Sequence, residues 1–186
     1  MVVEKKLKKK KKWFPILAPK EFGETKAGET FLEEPGVLKG RKFPLSLMNL
    51  TENVKKQNME VILEISEIKD NKVYTTLEGY RILPTHVRRM TRKVQAKFVE
   101  SSVFKTKDGL NARIQFYILI RNEAPRSALT ALRKKALEVI SEFVKDKNYG
   151  EIIMEIIEGS LQKKVREETK KILPIAACIF NEVCKE

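Results

Sequence analysis

Seven lysines crowd the start of the chain: Lys5, Lys6, Lys8, Lys9, Lys10, Lys11 and Lys12, with Glu4 the single carboxylate beside them. Ammonium groups at this density repel one another and resist burial, so residues 1–12 are expected to form a disordered basic arm. A polyanion would supply the missing counter-charge, and each lysine that meets a phosphate releases condensed counterions. The run stops at Trp13, Phe14 and Pro15. Aromatic rings at such a junction pin an arm to a folded body, or stack on unpaired bases.

A second cationic stretch lies between Gly79 and Val99. It holds Arg81, Arg88, Arg89, Arg92, Lys93 and Lys97, with His86 among them and no acid. If Thr85–Lys93 is a helical turn or two, Arg88, Arg89 and Arg92 fall on neighbouring faces at three- and four-residue steps. Guanidinium forks at that spacing suit successive phosphates. A solvated face could have the same composition, but a surface so free of counter-charge is unusual without an anion to meet.

Other chemistry finds little footing. The chain has no glycine-rich phosphate loop with its lysine, no nucleophile elbow and no histidine pair for a metal. His86 is the sole histidine, and a lone histidine more often caps or packs than catalyses. Glu138, Glu142 and Glu151 read as solvent-facing partners for lysine and arginine. Cys178 and Cys184, six residues apart, match no zinc spacing and are expected to stay free and reduced. No cofactor or metal is expected. Apolar runs are too short for a membrane span, and Pro15, Pro19 and Lys20 interrupt any signal-peptide core after the lysines. The expectation is a soluble intracellular protein with no membrane partner.

Net charge is +13 over 186 residues, which points to nucleic acid or anionic lipid as the partner. The charge is unevenly placed. Residues 1–135 carry 30 lysines and arginines against 15 acids, and residues 136–186 carry 8 against 10. The positive field belongs to the first three-quarters.

The elements that must hold these groups can be read from periodicity. Residues 13–58 alternate prolines with glycines and suit loops and short strands, Phe43, Leu45 and Leu47 being one candidate. Val61, Leu63 and Ile65 alternate with polar residues, and Asp70-Asn71 offers a turn into Lys72–Leu77, a hairpin. A second hairpin runs from Val94 to Phe104, turns at Asp108-Gly109, and returns with Leu110, Ala112, Ile114, Phe116, Ile118 and Ile120 on one face. Beyond Pro125 the period changes: Leu129, Leu132, Ala136, Ile140 and Phe143 mark an amphipathic helix ending near Lys147-Asn148. Ile152, Ile153, Ile156 and Ile157 are ambiguous. Ser160 is placed to cap a helix carrying Leu161, Val165 and Ile172, and Ile175, Ile179 and Val183 suggest a last short helix after Pro174. The reading is α+β: an antiparallel sheet or barrel-like core with helices in the C-terminal part. It gives one domain over residues 13–186, strand-rich over 13–122 and helix-rich over 125–186.

Several ordered stretches resemble one family. Lys11-Lys12-Trp13 with Ala18-Pro19-Lys20-Glu21-Phe22, Leu38-Lys39-Gly40-Arg41-Lys42-Phe43, Ser46-Leu47 and Asn49-Leu50 are similar to the archaeal and eukaryotic small-subunit ribosomal proteins called S3Ae. So are Gly79-Tyr80-Arg81, the Arg88–Lys97 stretch, Thr106-Lys107-Asp108-Gly109 and Arg126–Lys135. The resemblance spans nearly the whole chain. It favours an archaeal-type member, because eukaryotic members carry a longer C-terminal extension. It implies a structural, non-enzymatic constituent of the small subunit, cytoplasmic, on the platform near the mRNA exit and the 3′ end of the rRNA. It also implies contact with small-subunit rRNA, neighbouring ribosomal proteins, and mRNA or initiation factors. Lys39, Arg41 and Lys42 join the lysine arm, Trp13, Arg81, Arg88, Arg89, Arg92, Lys93 and Lys97 as expected RNA contacts. An RNA-modifying enzyme or a free-standing RNA-binding module is the alternative, and a lipid-surface adaptor is disfavoured by the lack of a basic amphipathic helix or lipidation signal.

Overall fold

The alternating Val61, Leu63 and Ile65 are all buried, and they sit on β4 (Met59–Lys69). This strand pairs antiparallel with β5 (Lys72–Ile82), from Met59 opposite Ile82 to Lys69 opposite Lys72. The computed structural model describes residues 11–186 apart from Glu34, Asp70, Asn71, Lys93, Gln95 and Arg121. The expected turn at Asp70-Asn71, the lysines from Lys5 to Lys10 and Lys93 therefore lie outside the described residues.

Along β5 the inward face changes phase. Val73, Thr75 and Leu77 are buried, then Tyr80 and Ile82. Ile62 faces Gly79 while the next residue, Leu63, faces Leu77, so Glu78 is an extra residue with no partner opposite. Such a bulge re-aims the side chain it carries. Gly79 beside it is required by a close approach: a Cβ there would stand 2.7 Å from the Val183 carbonyl oxygen of the neighbouring strand.

β5 is the axis of the sheet. One edge is occupied by β4, which in turn carries β3 (Lys42–Ser46). The other edge is shared. β1 (Lys12–Leu17) lies parallel to the start of β5 at Val73 and Tyr74, with the Thr75 hydroxyl donating to the Leu17 carbonyl oxygen at 2.7 Å. β8 (Ile175–Lys185) pairs antiparallel with the far end, at Gly79–Arg81. β2 (Lys26–Leu32) extends the sheet beyond β1, and β7 (Asn111–Ile120) then β6 (Ala96–Lys105) extend it beyond β8. The eight strands are antiparallel except where β1 meets β5.

The last short helix expected at Ile175–Val183 is this strand β8. Buried residues at 175, 179, 180 and 183 mimic a helical period for two reasons. The strand is central, and register shifts opposite Gln115/Phe116 and Leu119/Ile120 break its two-residue alternation. The β6–β7 hairpin follows its expectation: Ala112, Ile114, Phe116, Ile118 and Ile120 are buried. Leu110 is not, because it lies in the turn before β7 begins.

Helices cover the β6–β7–β8 face. α1 (Leu47–Thr51) and α2 (Pro84–Thr91) are short and belong to the strand-rich part. α3 (Arg126–Lys145) buries Leu132, Ala136, Val139, Ile140, Phe143 and Val144. The ambiguous isoleucine run is α4 (Tyr149–Glu158), which buries all four isoleucines. Its first turn is held by neighbours. The Asn148 amide donates to the Glu151 carboxylate at 3.2 Å, and the Tyr149 amide donates to Asp108 in the β6–β7 turn at 3.0 Å. Glu151 is thus spent on capping rather than on a lysine or arginine. Gly159, at φ +86°, closes α4 and precedes α5 (Ser160–Thr169); it, rather than Ser160, occupies the cap position, and Ile172 falls beyond the helix. Helices and sheet share one large core, while Phe14, Ile16, Leu38, Ile65 and Val73 form a smaller one under β1.

Candidate nucleic-acid interface

The acid-free stretch centres on α2. Pro84 opens it with a pre-set φ, Val87 faces the core, and Arg88 and Arg89 stand exposed on the last turn with exposed Arg92 at the cap. Cations at a helix C-terminus offset the backbone dipole, so the placement has a modest structural benefit of its own. Arg89 Nη2 lies 3.0 Å from His86 Nδ1. Burial and the Arg89 charge hold the His86 imidazolium form below its ordinary pKa, so the neutral ring accepts from the guanidinium. Arg88 and Arg92 have no carboxylate within ion-pair distance among the described residues. Lys97, at the start of β6, is also exposed.

Sequence reasoning missed two neighbours of this helix. A 3₁₀ turn, Val54–Lys56, precedes β4. The Leu83 amide, leading into α2, donates to the Asn58 carbonyl oxygen at 2.9 Å. That bond puts Lys55 and Lys56 at the same end of the β4–β5 hairpin as the arginines. Only the strand pairing reveals it, since 32 to 33 residues separate Lys56 from Arg88 and Arg89 in sequence.

Arg81 stands differently. Its Nε donates to the Glu60 carboxylate, directly opposite on β4, at 2.7 Å. Its stretch lacks acids in the sequence but not in space. Between Arg81 and Arg88 lies an open recess of about 330 Å³, also lined by Pro84, Tyr117, Asn181 and Glu182.

The Lys39–Lys42 group is remote from α2 and set among acids. Lys42 donates to Glu78 at 2.6 Å and lies 3.8 Å from Glu64. The hydrogen bond it donates to Glu78 is the main reason its pKa is raised. Lys39 bears electrostatically on Glu67, and Arg41 is exposed. The bulge aims Glu78 between Lys42 and Lys185, the latter at 3.3 Å. Burial would lift its carboxyl pKa, but the two lysines outweigh that and hold it below the usual range.

The third group is the root of the arm. Lys11 and Lys12 are exposed. Phe14 turns into the smaller core at 3% exposure, whereas Trp13 stays 64% exposed, with its ring centroid 4.8 Å from that of Phe31. Of the two rings expected at this junction, Phe14 pins the chain and Trp13 does not.

The expected contacts thus form three groups rather than one. β1 meets β5 at Val73 and α2 follows Ile82, so the arm root and the arginine helix are roughly 30 Å apart along β5 at its usual rise per residue. Cys178 and Cys184 both lie on β8, about 20 Å apart on an extended strand, and remain free thiols. Burial pushes the Cys178 thiol up to about 12, which leaves it unreactive. Among the described residues no helix is long and apolar enough to cross a membrane.

A mixed eight-stranded sheet backed by C-terminal helices, carrying separate exposed cation groups on its strand-rich part, defines a basic α+β protein. The chain belongs to the ribosomal S3Ae family, whose profile matches residues 3–184. It is 28% identical over 169 residues to the small ribosomal subunit protein eS1 of Aeropyrum pernix, covering 89% of this chain and 79% of that protein. The eS1 of Methanopyrus kandleri is 28% identical over 171 residues, 90% of this chain and 81% of its own length. That of Halorubrum lacusprofundi is 26% identical over 170 residues, 91% and 79%.

Proposed function

We propose that this protein is a structural constituent of the small ribosomal subunit in the cytoplasm, acting in translation by binding and ordering rRNA and performing no catalysis. The observation that carries the reading is membership of the ribosomal S3Ae family across almost the whole chain. The body over residues 13–186 is one α+β domain, and residues 1–12 are an arm. The RNA face comprises the arm lysines, Lys39, Arg41, the α2 arginines with Lys93, Lys97, Lys55 and Lys56, and, more weakly, the acid-paired Arg81 and Lys42. Its place is the platform near the mRNA exit, beside neighbouring ribosomal proteins and within reach of mRNA or initiation factors.

The α2 cluster is the strongest folded part of that face, because Arg88 and Arg92 have exposed guanidinium groups without a carboxylate partner among the described residues. Changing Arg88, Arg89 and Arg92 together to Gln removes charge and fork while keeping most of the stem. The expected result is loss of comigration with small subunits on a sucrose gradient, with an unchanged far-UV spectrum. The matched control changes Lys163, Lys164 and Arg166 on α5 to Gln and retains comigration. A control that fails while the arginine variant assembles would put the RNA face on the wrong side of the protein.

A further inference from the structure

Trp13 is the only tryptophan of the chain, and it is held outside the core by the same strand that buries its neighbour Phe14. The register of β1 and β2 sets Trp13 directly opposite Phe31, itself 48% exposed. The rings meet at 4.8 Å between centroids with an interplanar angle of 36°. Cross-strand aromatic pairing stabilises a hairpin modestly, but such a pair contributes more when it is covered. Pinning the strand needs Phe14 and Ile16, which are buried; it does not need a ring two-thirds in water.

The surroundings indicate what the rings meet. Exposed Lys11 and Lys12 come immediately before Trp13, continuing the lysine run. Of the nearby acids, Glu29 on β2 is already bonded to Lys26, and Glu33, just beyond the strand, is exposed. Two rings are too small an apolar patch for the core of a protein interface, which buries about 800 Å² per partner. Exposed rings of this kind are what single bases stack on. A duplex keeps its base faces stacked inside, so the matching partner is a strand with an unpaired base.

We propose that Trp13 and Phe31 form a stacking platform for an unpaired base of single-stranded RNA, with Lys11 and Lys12 on the flanking phosphates. This rests on the RNA-binding reading above and deepens it: the RNA at the arm root is single-stranded, whereas the α2 arginines need only phosphates.

The lone tryptophan makes the contact directly readable. The full chain is titrated with a single-stranded oligoadenylate, with a duplex of equal length, and with an abasic ribose-phosphate oligomer of equal charge. Affinity is followed separately by anisotropy of end-labelled oligomers. The oligoadenylate quenches Trp13 fluorescence and the other two do not. Trp13→Ala weakens oligoadenylate binding about tenfold, the loss expected for one stacked base, and leaves abasic-oligomer binding unchanged. Trp13→Phe restores most of it, and Phe31→Ala gives a smaller loss. Thermal melting of Trp13→Ala matches that of the parent, because the ring is exposed. Equal quenching by the abasic oligomer, or an oligoadenylate affinity insensitive to Trp13→Ala, overturns the stacking platform and leaves RNA binding through the lysines standing. Failure of every oligomer to bind overturns both readings.

Discussion

Phe116 is fully buried, its ring 6.4 Å from Phe98 and 6.0 Å from Phe180 between centroids. Its truncation to Ala leaves a cavity between sheet and helices and should cost ~3–5 kcal/mol in urea unfolding. Arg113, on the opposite face of β7, donates to Glu186 at 2.6 Å, but both groups are about half exposed. Arg113→Ala should therefore cost less than about 1 kcal/mol. Similar small losses for both would mean that β7 does not bury the face assigned to it. This distinction was legible from alternation alone, since β7 is packed on one side. The division of labour between Trp13 and Phe14 was not. Adjacent strand residues always face opposite ways, and only the pairing of β1 with β5 decides which way is inward.

At the scale of elements, local periodicity identified β4, β5, β6, β7 and α3, whose more buried residues fall mainly on one face. It failed at β8, where the register slips twice and the buried residues fall at 175, 179, 180 and 183, so the pattern that distinguishes strand from helix disappears. The bulge in β5 was also illegible, although its sequence, Leu77-Glu78-Gly79, contains the glycine it needs. That glycine is testable. Gly79→Ala drives a methyl against the Val183 carbonyl oxygen and should cost about 1–3 kcal/mol, seen as a lowered Tm. Gly28→Ala on β2, where a Cβ meets nothing within 4 Å, should shift stability by no more than about 0.5 kcal/mol. Equal effects would show that β5 and β8 do not approach as closely as drawn. The cation groups follow the same rule. Lys55 and Lys56 reach the arginine helix, and Arg81 and Lys42 acquire acids, through strand pairings that no local pattern encodes.

For the whole molecule, the excess of positive charge belongs to residues 1–135, which carry 30 lysines and arginines against 15 acids, whereas residues 136–186 carry 8 against 10. Removing Val2–Lys10 should flatten the dependence of log affinity for rRNA on log salt, because fewer counterions are released on binding. The deletion stops short of Lys12, where β1 begins, so the melting temperature of the free protein should change little. An unchanged salt slope would mean the arm meets no phosphate.

The position of β8 bears on how the protein is made. It lies between β5 and β7, yet among the eight strands it is the last to be synthesised. Until it leaves the exit tunnel, the edges of β5 and β7 that it will join have no partner from this chain, and the core residues Phe180 and Val183 are missing. Closure of the sheet therefore waits on the last of its strands to be made, and until that strand arrives the edges of β5 and β7 stand open to pairing with other chains.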